Sequence, residues 1–209
     1  SNNPLNGKTA WDVSSGTVSS ILPGGKKHDL FVAWLNKLAD FFNSLKATDG
    51  EPIPILFRPW HELTGNWFWW GQEFCSAEEF KLLWKFTFHH LVIKREVRHL
   101  IWMYNTAEFA DGKHFMERFP DKGMVDILSF DTYQHPNSIS NGYNSFLSNT
   151  GRMLGVLDSL GKVLDMPVAL AETGFETIPK ADWWTNDLLP LIRKYHPVYV
   201  LCWRNAGIR

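Results

Sequence analysis

Two carboxylates define the chemistry open to this chain. Glu62 closes the run Arg58-Pro-Trp-His-Glu62, and Trp67, Phe68, Trp69 and Trp70 follow shortly after it. Just before stands Ile53-Pro-Ile-Leu-Phe57, a short apolar run that reads as a buried strand. Glu172 repeats the theme in Val168-Ala-Leu-Ala-Glu-Thr-Gly174: apolar strand, carboxylate, glycine. Paired carboxylates at strand ends, set among aromatic rings, suit acid-assisted cleavage of a glycosidic bond. Aromatic faces suit sugars because axial C–H groups pack on the rings while hydroxyls reach polar groups at the rim.

Each assignment competes with a plainer reading. A glutamate after a strand is usually a solvated loop charge, but Arg58, His61 and the tryptophan cluster crowd around Glu62 in one short segment. Glu172 has less local support, and its case rests on order and on spacing from Glu62. Glu176 is a rival for the same role and reads as a solvated loop charge. Tyr133 and Trp203 would suit a core equally well by burial habit, and their strand-end placement favours a site. Adjacent His89 and His90 point apart on a helix. Gly65 stands where a zinc-binding His-Glu motif needs its second histidine, so no metal and no cofactor is expected.

Carboxylates at strand ends need a sheet to hold them, and the pattern supplies one. Phe31, Trp34, Leu35, Leu38, Phe41, Phe42 and Leu45 recur at helical spacing and predict a helix over 28–46. A strand over 53–58 follows. Ser76, with Glu79 three residues on, forms a capping box opening a helix that runs to residue 95. Strands over 99–104, 125–130, 167–171 and 197–203 come next. Between them lie a helix striped by Phe146, Met153, Leu157, Leu160 and Leu164 and another over 187–195. Five strands separated by helices imply right-handed crossovers and a parallel sheet.

Glu62, Asn105, Asp131, Tyr133, Glu172 and Trp203 then fall just after strand C-termini, the face on which (β/α)8 TIM barrels build their sites. Glu62 and Glu172 are 110 residues apart, three βα units, and would face each other across a ring. A doubly wound sheet would show a glycine-rich first turn, and none occurs. Five strands are too few to close a barrel, which takes about 250 residues. The 209 residues are therefore expected to form one partial catalytic domain over 1–209, rather than to hide weak strands in 1–25.

Lys plus Arg (21) nearly cancel Asp plus Glu (22), which gives no reason to expect nucleic acid or an anionic membrane surface as partner. No stretch has the length of a membrane span. The 11 tryptophans are many for this length. About half suit core packing, while the clustering of Trp67, Trp69 and Trp70 in a loop-like stretch argues that several serve a ligand. Cys75 and Cys202 are expected to be free thiols. The opening Ser1-Asn-Asn-Pro4 is not a signal peptide, so a mature or trimmed form is expected.

Five motifs run in order along nearly the whole chain: Arg58-Pro-Trp-His-Glu62, Trp67-Phe-Trp-Trp-Gly71, Phe130-Asp-Thr-Tyr-Gln134, Ala171-Glu-Thr-Gly174 and Leu201-Cys-Trp-Arg-Asn-Ala206. Together they resemble glycoside hydrolase family 26, mainly endo-β-1,4-mannanases of the retaining (β/α)8 clan. The resemblance implies coverage of strands four to eight, with the first three strands and the final helix missing. Asn2, Asn3, Pro4 and Trp11 resemble the loop after strand three.

It implies further that Glu62 is the acid/base and Glu172 the nucleophile. His61 would contact sugar, Arg58 and Tyr133 would support the nucleophile, and Asp131 would support the site. Trp67 and Trp203 would stack on sugar, and Arg204 would bind or support substrate beside them. Leu63 and Thr64 depart from the family's usual methionine or leucine followed by asparagine. A histidine supplied from an earlier strand has no counterpart. The implied partner is a mannan-type polysaccharide, and the implied location is secreted, cell-surface or periplasmic. Xylan or mixed-linkage β-glucan as substrate, and sugar binding without cleavage, stay open.

Such a mechanism sets requirements. Retention needs carboxyl groups about 5–5.5 Å apart. The nucleophile has to be ionised, which a cation and hydrogen-bond donors favour, and Arg58 and Tyr133 can supply both. The acid has to start protonated, which the apolar rings of Trp60, Trp67 and Phe68 and a neighbouring carboxylate favour.

Overall fold

A computed structural model describes residues 2–135 and 139–203, the stretch 139–144 by its backbone alone. Helices α1 (Thr17–Ile21) and α2 (His28–Ser44) precede strand β1 (Ile55–Phe57). Then come α3 (Ala77–Phe88), β2 (Leu100–Thr106), α4 (Gly112–Met116), β3 (Ile127–Gln134) and α5 (Ile139–Leu164). β4 (Val168–Phe175), α6 (Leu189–Tyr195) and β5 (Val200–Cys202) complete the order. The predicted capping box opens α3: Ser76 Oγ accepts from Glu79 N–H at 3.1 Å and Glu79 Oε2 from Ser76 N–H at 2.8 Å. The helix then widens into a π-helical stretch, His89–Lys94. A similar stretch, Trp183–Leu188, leads into α6. No described helix is long and apolar enough to cross a membrane.

The strands pair in sequence order, β1-β2-β3-β4-β5, and every pair is parallel. With no reversal of order there is no switch point, so the sheet is an arc of a (β/α)8 barrel. Side chains alternate across it. Trp102 and Tyr104 of β2, Leu128 and Phe130 of β3 and Leu170 of β4 face outward into the main core with Phe80 and Trp84 of α3 and Met153 and Leu157 of α5. Met103, Ile127, Ala169 and Ala171 face the concave side as a smaller cluster with Ile101 and Tyr199. The polar residues of the site continue this inward row.

Several element limits differ from the sequence reading. β1 begins at Ile55 because Pro52 and Pro54 carry no N–H for a ladder. β2, β3 and β4 run further than their apolar runs, so Asn105, Asp131, Tyr133 and Glu172 lie inside strands and not after them. Only Glu62 and Trp203 follow their strands. Residues 2–25 contribute turns and α1, with no strand among them.

One irregularity matters for function. Phe130 pairs with Leu170, but Asp131 pairs with Glu172, so Ala171 is the extra residue of a β-bulge. Strict alternation would send Glu172 outward after inward-facing Ala171. The bulge resets the phase: Glu172 turns inward beside Asp131 and Tyr133, while Phe175 returns to the main core.

Candidate active site

The loop after β1 holds Glu62 in a demanding conformation. Trp60 and Glu62 have left-handed backbone, φ 53° and 54°, which non-glycine residues keep only when their surroundings enforce it. Here hydrogen bonds do so. Glu62 N–H donates to Asn105 Oδ1 at 2.9 Å and Gly65 N–H to Glu62 O at 2.8 Å. Trp70 Nε1–H donates to His61 O at 2.8 Å, and the Thr64 hydroxyl to Glu108 O at 3.0 Å. Trp69 and Trp70 are buried, with ring centroids 5.4 and 5.6 Å from that of Trp60. The expectation that several of Trp67, Trp69 and Trp70 serve a ligand is therefore narrowed: two of them build the loop's support, and of the three Trp67 alone lines the cleft.

Trp67 also reaches the carboxyl of Glu62, its Nε1–H donating to Oε2 at 2.6 Å. Gly65 makes room for that indole: a Cβ there would lie 2.5 Å from Trp67 Cζ2. Gly65→Ala is expected to displace the ring and to cost about 1–3 kcal/mol, as overpacking does; urea denaturation beside the parent chain measures it.

Three carboxylates converge in front of this loop. Oxygens of Glu62, Asp131 and Glu172 lie within 4.8 Å of one another. Asp131 and Glu172 are direct register partners, and like charges placed so would repel. Arg58, at the end of β1, bridges them: Nη1 donates to Asp131 Oδ2 and Nη2 to Glu172 Oε1. The Tyr133 hydroxyl donates to Glu172 Oε2, so both nucleophile-candidate oxygens are held. Asp131 Oδ1 accepts from Asn105 Nδ2 at 2.9 Å. Such a trio could also ligate a cation, but Arg58 already supplies the positive charge between two of its members.

These surroundings set the protonation states. Burial raises the Glu62 carboxyl above its usual range and the charge of Glu172 adds to this, against the pull of the Trp67 indole N–H. Burial pushes Asp131 up to about 7, against the pull of Arg58 and the Asn105 amide. Burial and then the Arg58 charge bring His61 down to about 4, so its ring is neutral at pH 7. Burial works against the Arg58 charge, but Asp131 and Glu172 outweigh it. Burial and its bond to Glu172 raise Tyr133, which keeps its proton as a donor.

A cleft of about 400 Å³ opens beside this group, lined by Glu62, Trp67, Glu108, Asp131, Thr132 and Tyr133 among others. A second hollow, about 210 Å³, lies between Tyr133, Gly174, Phe175 and Trp203. Trp203 is 58% exposed there and is not a core residue. Arg204 lies outside the described residues. Glu176, the rival carboxylate, is exposed, with Oε2 3.9 Å from His135 Nδ1, and lies outside the trio. His90 is buried with a ring nitrogen 2.9 Å from Asn36 Oδ1, a packing role as expected. Cys75 and Cys202 are free. Sequence reasoning missed Glu108, whose carboxylate accepts from the Thr132 hydroxyl at 2.9 Å. Its position two residues beyond β2 was the available signal.

Paired carboxylates on the C-terminal face of a (β/α)8 arc are the defining arrangement of the barrel-fold glycoside hydrolases. The family profile "Glycosyl hydrolase family 26" matches residues 2–200, and the chain belongs to that family. It is similar to a mannan endo-1,4-beta-mannosidase of Bifidobacterium adolescentis, 32% identical, over 98% of this chain and 22% of that protein. A solved beta-mannanase of the family from Bacteroides ovatus superposes with a TM-score of 0.92 at 40% identity, over 98% of this chain and 58% of that one. The chain thus spans less than two thirds of these relatives. Endoglucanase H of Acetivibrio thermocellus is 27% identical over 80% of this chain and 19% of that protein.

Proposed function

We propose that the protein is a retaining endo-acting glycoside hydrolase that cleaves β-1,4-mannosidic bonds in mannan or galactomannan by double displacement. The observation that carries this reading is the approach of Glu62 and Glu172 oxygens to within 4.8 Å. Such an approach is nearer the roughly 5–5.5 Å of retaining pairs than the about 6.5–9.5 Å of inverting ones. The mannosidase and mannanase names of its relatives support the choice of substrate.

In the first displacement a Glu172 oxygen attacks the anomeric carbon while Glu62 gives its proton to the departing glycosidic oxygen. A glycosyl ester forms on Glu172 and one saccharide leaves. The ester has no charge, so Glu62 ionises more readily and takes a proton from water. That water attacks the anomeric carbon, the ester bond breaks, and configuration is retained. Arg58 and Tyr133 hold Glu172 at its two oxygens, and Asp131 fixes Arg58. Neutral His61 faces sugar hydroxyls, Trp67 and Trp203 stack on sugar rings, and Arg204 contacts substrate beside Trp203. On this reading residues 1–209 form one catalytic unit, and its polymeric substrate points to a secreted or cell-surface site of action.

Because the indole N–H favours the ionised form of Glu62, Trp67→Phe is expected to raise its pKa further. The basic limb of the kcat/KM profile, where the acid loses its proton, then moves to higher pH. Initial rates on a soluble mannooligosaccharide across pH 5–9 check this.

The likeness to an endoglucanase favours a second reading, cleavage of β-linked glucan. Reducing-sugar release from galactomannan, xylan and mixed-linkage β-glucan separates the two. Preference for galactomannan is expected, and preference for β-glucan would overturn the mannan assignment.

A further inference from the structure

We infer that Asn105 is a positioning residue that sets the acid/base carboxyl through the backbone of Glu62; the inference rests on the role of Glu62 proposed above. Asn105 is fully buried on the inward face of β2, directly beyond Met103. Each end of its amide is committed. Oδ1 accepts the Glu62 N–H at 2.9 Å, and Nδ2 donates to Asp131 Oδ1 at 2.9 Å and to Ser129 Oγ at 3.1 Å.

The amide has one workable orientation. Ser129 spends its own hydroxyl proton on Tyr104 O at 3.1 Å, so its oxygen is left to accept. Turning the amide over would set NH2 against the Glu62 N–H and its oxygen against the Asp131 carboxylate, leaving buried groups unpaired. Ser129 and Asp131 therefore fix Asn105, and Asn105 fixes the residue whose φ of 54° needs outside support. The carboxyl of Glu62 is aimed by this backbone and steadied at its tip by Trp67.

The route runs from β3 through β2 to the loop after β1, and it bypasses the substrate-stacking rings. Arg58 grips Asp131 through the other carboxylate oxygen, Oδ2, so the bridge to Glu172 does not pass through Asn105. Loss of the amide should thus harm proton donation more than nucleophilic attack. A leaving group that needs no proton distinguishes the two.

The test uses Asn105→Ala, Glu62→Ala and the double variant in the full chain, assayed on galactomannan and on a 2,4-dinitrophenyl β-mannooligoside. Asn105→Ala is expected to lower kcat on galactomannan by about 100-fold, the scale of a 1 Å misplacement, with KM little changed. On the activated glycoside the first step should be spared. In the Glu62→Ala background the same change should add less than about two-fold, since both act on one group. A burst rate on the activated glycoside that falls as far as kcat on galactomannan, or additive losses on galactomannan in the double variant, would overturn the inference. If Asn105→Ala does not fold, Ser129→Ala decides: a several-fold loss on galactomannan with the burst rate on the activated glycoside unchanged supports the inference, and an equal loss in that burst rate overturns it. If Glu62→Ala itself leaves hydrolysis of galactomannan unchanged, the proposed acid/base assignment fails instead.

Discussion

Glu172→Ala is expected to abolish galactomannan hydrolysis, with kcat falling by about 10⁴-fold or more, the scale on which covalent nucleophiles act. The geometry explains why no neighbour can replace it. Glu172 is gripped at both oxygens, by Arg58 and Tyr133, and it reaches the concave face through the bulge. Asp131 is committed to Arg58 and Asn105. Glu176 stands exposed in the neighbouring hollow. A 2-deoxy-2-fluoro-mannoside should trap a glycosyl ester on the parent chain, visible by mass spectrometry on the peptide carrying Glu172. Full trapping in Glu172→Ala, or loss of hydrolysis in Glu176→Ala alone, would show that the wrong carboxylate has been assigned.

Glu62→Ala should have the second largest effect, but a selective one. On galactomannan the loss is expected at about 10²–10⁴-fold, the contribution of general acid catalysis. On a dinitrophenyl glycoside the first displacement needs no proton, so the glycosyl ester forms and then accumulates because no base activates water. A burst of phenolate followed by slow turnover is the expected trace, and added azide should speed turnover by giving β-glycosyl azide. The pH profile supplies a second sign. Burial and the nearby Glu172 raise the Glu62 carboxyl, so in the parent it stays protonated above the usual carboxylate range. Activity is lost as pH rises through that raised value, and Glu62→Ala should remove this basic limb. A variant that keeps the limb would assign it to another group, Asp131 being the obvious one at about 7.

The pair of carboxylates, their separation by three βα units and the strand-then-helix alternation could be read from residue order alone. So could the capping box at Ser76, because its chemistry is local. The ends of β3 and β4 were hidden for a physical reason. Apolar runs mark strands, yet Asp131, Tyr133 and Glu172 interrupt the runs, and their ion pairs and hydrogen bonds let the ladder continue through them. Composition and clustering could not tell Trp67 from Trp69 and Trp70, and only the family resemblance singled out Trp67. All three sit in one aromatic cluster, and only the fold of the loop decides which ring meets solvent. Asn105 was visible as a polar residue at a strand end, but its link to Glu62 spans 43 positions and depends on the loop's left-handed turn.

The slipped pairing at Ala171 makes this site sensitive to counting as well as to chemistry. Apolar residues on the outward face of β4 can be exchanged for others of similar volume at small cost, and each exchange leaves every side chain on its own face. Losing or gaining one residue between Leu170 and Glu172 is a change of another kind. It alters parity, and the carboxylate would turn from the substrate to the helices although no functional side chain had been replaced. Along this strand, drift in residue identity is cheap, while an insertion or deletion of a single codon is not.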